Sequence, residues 1–184
     1  MLYIIVGPSG SGKTTLSNIM EDMGVKRVIS STTRTKRPHE IDGLHYNFLT
    51  KKQFYNKIDA NEFIEHAQFG DNFYGTEKTS ILNALNSQNG MSVVVMELQG
   101  YLAMKKTNFD ITGIFMNTSY DTIIKRLNVR ESDDNEKRIA MIKEELSHKK
   151  YFNNEIIIEE MSLNNLKETA YDIINKIPTQ TLNI

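Results

Sequence analysis

Directly behind the apolar run Leu2–Val6 comes Gly7-Pro8-Ser9-Gly10-Ser11-Gly12-Lys13-Thr14. Two glycines spaced by four residues and followed by lysine and threonine meet the spacing of a phosphate-binding loop. Such a turn must bend until consecutive N–H groups point into one concavity, and glycine enters the necessary backbone regions at low steric cost. Lys13 can then reach the outer phosphates and Thr14 can hold Mg²⁺, while the start of the next helix adds its positive end. The segment Gly7 through Thr15, including Pro8, Ser9, Gly10, Ser11, Gly12 and Thr15, is therefore the expected site for a nucleoside triphosphate. This arrangement demands a strand in front and a helix behind, which confines the chain to an α/β fold.

At 184 residues the chain can bury a substantial core but lies near the usual length of one domain, so one core with an insertion or lid fits better than two domains. A formal net charge of −1 supplies no basic field to draw the protein to nucleic acid or to an anionic membrane. Apolar stretches fall far short of a bilayer span, and Met1–Val6 reads as a first strand rather than a leader. The absence of cysteine excludes disulfides and thiolate metal sites and suits a reducing compartment. A cytoplasmic location is expected, as a monomer or homodimer, with no nucleic acid and no membrane partner.

Apolar spacing predicts a buried strand over Leu2–Val6, a helix over Lys13–Met23 and a short strand over Lys26–Ser30. Ser31–Asp42 is polar and turn-rich, Thr50 can cap a helix over Lys51–Ile58, and Glu62–Phe69 and Asn72–Tyr74 read as short strands. The pattern then resumes with a helix over Ser80–Leu85, strands over Ser92–Met96 and Ile111–Phe115, and a helix from Ser119 to about Leu127. An amphipathic helix over Glu136–Lys149, a strand over Glu155–Ile158 and a last helix capped by Ser162 complete the order. Alternating strands and helices predict a parallel sheet covered on both faces, with ligands at the C-terminal edge of its strands.

A phosphate loop identifies only the donor. The acceptor must be read from the inserted block, where Arg34 and Arg37 lie three apart and can face one dianionic phosphate with their planar forks of donors. Farther along stand Glu65 and the group Asn72-Phe73-Tyr74-Gly75-Thr76. No candidate nucleophile stands out, which suits direct phosphoryl transfer.

These blocks together resemble the guanylate kinase family closely. The matching text is Gly7-Pro8-Ser9-Gly10-Ser11-Gly12-Lys13, then Ser30-Ser31-Thr32-Thr33-Arg34 with Arg37-Pro38 and Glu40, then Asp42-Gly43 and Tyr46-Asn47-Phe48. It continues through Glu62-Phe63-Ile64-Glu65, Tyr74-Gly75-Thr76 and Glu97-Leu98-Gln99-Gly100. The resemblance implies a three-layer phosphate-loop fold with a parallel central sheet, an inserted nucleotide-monophosphate-binding lobe and a lid. It implies a core over 1–30, 81–125 and 150–184, a GMP-binding lobe over 31–80 and a lid region over 126–149. Arg34, Arg37, Tyr46 and Tyr74 would hold the phosphate of GMP or dGMP, and Ser30, Glu65, Thr76 and Glu97 would surround guanine. Lys13 and Thr14 would serve ATP and Mg²⁺, and Arg126, Arg130 and Arg138 would approach the phosphates from the lid.

Guanine presents N1–H and an exocyclic NH₂ side by side, two donors that one carboxylate can accept together. Adenine has an unprotonated N1 there, and a bidentate match of this kind is worth ~1–3 kcal/mol of discrimination. This chain departs from the family in three places. Val95-Met96-Glu97 stands where two acids usually flank a hydrophobic residue, the interval from Arg130 to Arg138 is short, and Glu159-Glu160 replaces the usual Asn-Asp. A kinase for another nucleoside monophosphate or a ribose bisphosphate, and a protein-binding module that has kept the family's shape, are the alternatives.

Overall fold

The computed structural model describes residues 1–86, 90–129 and 135–176. Strand β1 (Leu2–Val6) is buried along its whole length and forms the centre of a five-stranded sheet in the order β2-β7-β1-β8-β9. Its partners are β2 (Lys26–Arg27), β7 (Ser92–Val95), β8 (Ile111–Asn117) and β9 (Ile156–Glu159). Every pairing in this sheet is parallel, so each connection must cross a face, and both faces are covered.

Period-two alternation along β1 divides the core. Leu2, Ile4 and Val6 join Val94, Phe115, Ile81 of α3 (Lys78–Leu85), and Tyr101 and Met104 of α4 (Leu98–Met104). Phe152, from a short 3-10 helix over His148–Phe152, stacks on Tyr101 with ring centroids 4.4 Å apart. Tyr3 and Ile5 point the other way, onto Leu16, Ile19 and Met20 of α1 (Lys13–Asp22) and Leu166, Ala170 and Ile173 of α7 (Leu163–Lys176). A third cluster joins α5 (Tyr120–Val129) to α6 (Asn135–Ser147) through Ile123, Leu127 and Ile142. Ser162 caps α7 as its spacing predicts, its Oγ accepting from the Asn165 N–H at 3.2 Å.

A second sheet occupies the inserted block, in the order β4-β3-β6-β5. It contains β3 (Ser31–Thr32), β4 (Asn47–Phe48), β5 (Phe63–Phe69) and β6 (Asn72–Glu77). Helix α2 (Lys51–Asp59) begins at Thr50 with a capping box closed by Gln53 and drives the fully buried Phe54 onto Phe63 at 4.5 Å and Phe73 at 5.6 Å.

Several elements differ from the sequence expectation, β4 among them, since no strand is expected over Asn47–Phe48. The strand expected over Lys26–Ser30 ends at Arg27, because the Ser30 carbonyl accepts from the Asn47 N–H of the second sheet at 2.9 Å. Ser31–Thr32, expected in a polar turn region, is a fully buried strand between β4 and β6. Strand β6 runs on to Glu77, where the carboxylate accepts from Ser31 Oγ at 2.6 Å and from Lys57 Nζ at 2.8 Å. Helix α4 has no counterpart among the expected elements, and its apolar positions Leu98, Tyr101 and Met104 are buried.

Candidate active site

The phosphate loop lies where β1 gives way to α1, at the C-terminal edge of the parallel sheet. Gly10 and Gly12 have φ of 84° and 104°, which residues with a side chain rarely adopt. Lys13 Nζ folds over the loop, donating to the carbonyls of Gly7 and Pro8. Thr14 and Thr15 are exposed at the start of α1.

The helical pair α5–α6 sits against this loop. Arg126 Nη1 donates to the Gly10 carbonyl at 3.2 Å and Arg138 Nη1 to Ser9 Oγ at 2.7 Å. The Ser9 N–H donates in turn to Glu145 Oε2 at 3.2 Å. Glu145 is buried, and burial pushes its carboxyl above the ordinary range while Lys13 and Arg138 pull it back. Arg130 lies outside the described residues.

Across the cleft, Arg34 is held by Glu40. The guanidinium donates to both carboxylate oxygens, at 2.8 and 2.7 Å, and also to the Thr35 carbonyl at 2.9 Å. Glu40 accepts from the Arg37 N–H as well, at 2.8 Å. Chiefly through the Arg34 bond, its carboxyl is drawn down to about 2. Arg34 lies over the rings of Tyr46 and Phe48, at 5.5 Å from each centroid. Tyr46 and Tyr74 meet edge to face at 6.3 Å. Burial raises the Tyr46 phenol, which keeps it an O–H donor.

Between these groups lies Glu65. The ladder of β5 and β6 slips by one residue between Phe63 and Glu65, a bulge of the kind that re-aims a side chain. Thr76 Oγ1 donates to Glu65 Oε1 at 2.8 Å, and Ser30 Oγ lies 3.2 Å from the same hydroxyl. Burial pushes the Glu65 carboxyl up to about 7, with Glu97 adding repulsion and the Thr76 bond opposing. Glu97 is exposed at the N-cap position of α4 with an extended backbone.

One cleft of about 1220 Å³ is lined by residues from all of these groups. It contains Pro8 to Thr15, Ser30, Arg34, Arg37, Tyr46, Glu65, Tyr74, Glu97, Arg126 and Arg138. Gly7 and Thr76 are buried behind the lining residues. At the altered segment, Val95 and Met96 reach the cleft beside Glu97. Glu159 and Glu160 also line it, with Glu160 accepting from Ser119 Oγ and Thr122 Oγ1 at 2.8 Å.

A family model for guanylate kinase matches residues 1–177. The chain belongs to the guanylate kinase family. It is 38% identical over 167 residues to the guanylate kinase of Bartonella henselae, covering 88% of this chain and 75% of that protein. The guanylate kinase of Hydrogenovibrio crunogenus is 35% identical over 179 residues, covering 96% of this chain and 85% of that protein. In fold it resembles the crystal structure of guanylate kinase from Anaplasma phagocytophilum, with a TM-score of 0.72 at 22% identity, covering 96% of this chain and 84% of that one. Membership makes the chain a phosphotransfer enzyme of the guanylate kinase type acting on GMP-type substrates.

Glu40 and Glu145 are positioning groups without an assigned role in the sequence expectation. Glu40 had a signal, an acid three residues beyond Arg37 and six beyond Arg34. Glu145 had another, because it interrupts the apolar stripe of Ile139, Ile142 and Leu146. A carboxylate on a buried helix face needs a partner, and that partner proved to be the loop N–H.

Proposed function

We propose that this protein transfers the terminal phosphoryl group of ATP to GMP or dGMP, giving ADP and GDP or dGDP. What supports this reading most is that the Glu65 carboxylate opens on the same cleft as the phosphate loop, with Arg34, Arg37, Tyr46 and Tyr74 between them. A carboxylate accepting two parallel donors suits guanine, and cationic forks with phenol donors suit its phosphate.

Residues 31–80 act as the GMP-binding lobe and 126–149 as the lid. Arg34 and Arg37 align the acceptor phosphate and offset repulsion between two anions. Glu40 fixes Arg34: three of its five donors are engaged, which leaves two for an incoming phosphate. An oxygen of the acceptor phosphate forms the new bond to the γ-phosphorus as the bond to the bridging oxygen of ADP breaks. That oxygen is already ionised near neutral pH, so it needs little help from a general base. Lys13 and the loop N–H groups stabilise charge on the transferred group, and Arg126 and Arg138 approach it from the lid side. Lys13 must leave the Gly7 and Pro8 carbonyls to do so.

Among the described residues, no group of three or more His, Cys, Asp or Glu could hold a metal ion. The Thr14 hydroxyl, exposed at the start of α1 and lining the cleft, suits Mg²⁺ held there together with substrate phosphates and water. When bound there, Mg²⁺ would neutralise phosphate charge.

A coupled ADP-release assay across GMP, dGMP, AMP, CMP, UMP and dTMP tests the proposal. Turnover with the guanine nucleotides alone is expected. Equal turnover with AMP, or none with GMP and dGMP, would overturn it.

A further inference from the structure

Gly100 stands inside α4, where glycine weakens a helix relative to alanine. Its φ lies outside the left-handed range that would demand glycine. The reason for its presence is steric. A Cβ added at Gly100 would lie 2.6 Å from Glu65 Cγ, 3.1 Å from Cδ and 3.3 Å from Cβ. The bare Cα of α4 is therefore the wall against which the Glu65 side chain rests. The far end of that side chain is held by Thr76 Oγ1 at 2.8 Å.

The wall and the carboxylate come from different sheets. Helix α4 packs on the parallel sheet through Leu98, Tyr101 and Met104, whereas Glu65 belongs to β5 of the inserted sheet. We propose that Gly100 is a positioning residue for base recognition: the absence of a side chain there gives Glu65 the room it needs to face guanine. This inference rests on the reading of Glu65 as the guanine acceptor. A methyl group at position 100 cannot be absorbed by a small shift, because the nearest atom is mid-chain rather than at a flexible tip. Glu65 must rotate about χ1, the torsion that moves Cγ, which withdraws both carboxylate oxygens from a bidentate match.

The test is a double-mutant cycle on the full chain with Gly100→Ala and Glu65→Ala, measuring KM for GMP, KM for ATP and melting temperature. Gly100→Ala is expected to raise KM for GMP roughly tenfold or more and to erode the preference for GMP over AMP. KM for ATP should stay near the wild-type value, which a general loss of packing would not spare. In the Glu65→Ala background, Gly100→Ala should change KM for GMP less than twofold, because the obstructing Cγ is gone. An unchanged KM for GMP in the single variant, or an equal rise in both backgrounds, would overturn the inference while leaving the function intact. If Glu65→Ala itself leaves GMP use unchanged, the underlying reading of Glu65 fails and the inference fails with it. Should Gly100→Ala prove unfolded, a folded double variant would support the steric conflict and an unfolded one would refute it.

Discussion

The backbone N–H of Ser9 donates to Glu145 Oε2 at 3.2 Å, while Arg138, seven residues earlier on the same helix, donates to Ser9 Oγ at 2.7 Å. One residue of the phosphate loop is thus gripped from both sides by α6. The carboxylate holds the Ser9 backbone, and with it the shape of the loop, in place, and it sits where Lys13 and Arg138 temper the cost of burying it.

Glu145→Ala should therefore act on the donor half of the cleft. A hydrogen bond to a charged group contributes ~1.5–3 kcal/mol, so KM for ATP should rise roughly tenfold or more. KM for GMP should stay within about twofold, since the acceptor groups lie on other elements. Steady-state kinetics with each substrate varied in turn makes the comparison, and an effect confined to GMP would contradict it.

Lys13→Ala should remove most turnover while leaving the fold and GMP binding largely intact. The ammonium group is only half-buried and its bonds are to loop carbonyls, so a thermal melt should shift little. Its charge matters most during transfer. Near-normal rates in a folded variant would exclude Lys13 from the donor site.

Arg34→Ala should weaken GMP binding more than ATP binding in calorimetric titrations, and Glu40→Gln should do so to a smaller extent by freeing Arg34. Glu40 also carries a pH signature. Its folded value of about 2 lies below the ordinary 4.5, so the stabilisation is fully present above about 4.5 and is lost as pH falls toward 2. Acid melts of wild type should therefore lose stability across that window faster than melts of Glu40→Gln, and parallel curves would refute the coupling.

Glu65 has the opposite sign. Its folded value near 7 exceeds the ordinary 4.5, so the folded protein holds a proton that the unfolded chain has released, and stability from this group falls as pH rises through that interval. Guanine needs the ionised form, which accepts both donors. KM for GMP should therefore fall as pH rises through about 7. GMP itself ionises near pH ~6, so the comparison is with Glu65→Gln, which should show a large loss of GMP turnover and a flatter profile. Identical profiles would remove Glu65 from base recognition.

The phosphate loop was legible in the sequence because its chemistry is local: glycines that permit the turn, then Lys13 and Thr14 at fixed spacing behind a wholly apolar strand. The same holds for β1 and β7 at the centre of the parallel core, whose strands are nearly continuous apolar runs, and for α2, whose cap is written in Thr50. Ser31–Thr32 was illegible as a strand because two polar residues carry no alternation, and their burial depends on β4, β6 and the carboxylate of Glu77 converging on them.

What tertiary structure alone decided is the relation between distant side chains. Glu40 could be seen near Arg34 in the chain, but only folding turns its two oxygens onto the guanidinium. Glu65 acquires its raised carboxyl from burial and from Glu97, and its room from Gly100, neither of which is near it in sequence. Glu145 meets Ser9 across more than a hundred residues. Sequence by itself determined the phosphate-loop spacing and most of the long strands and helices, since backbone preferences and apolar periodicity act over a few residues. The electrostatics and spacing of the cleft were set by packing, since charge, burial and steric walls depend on which surfaces meet.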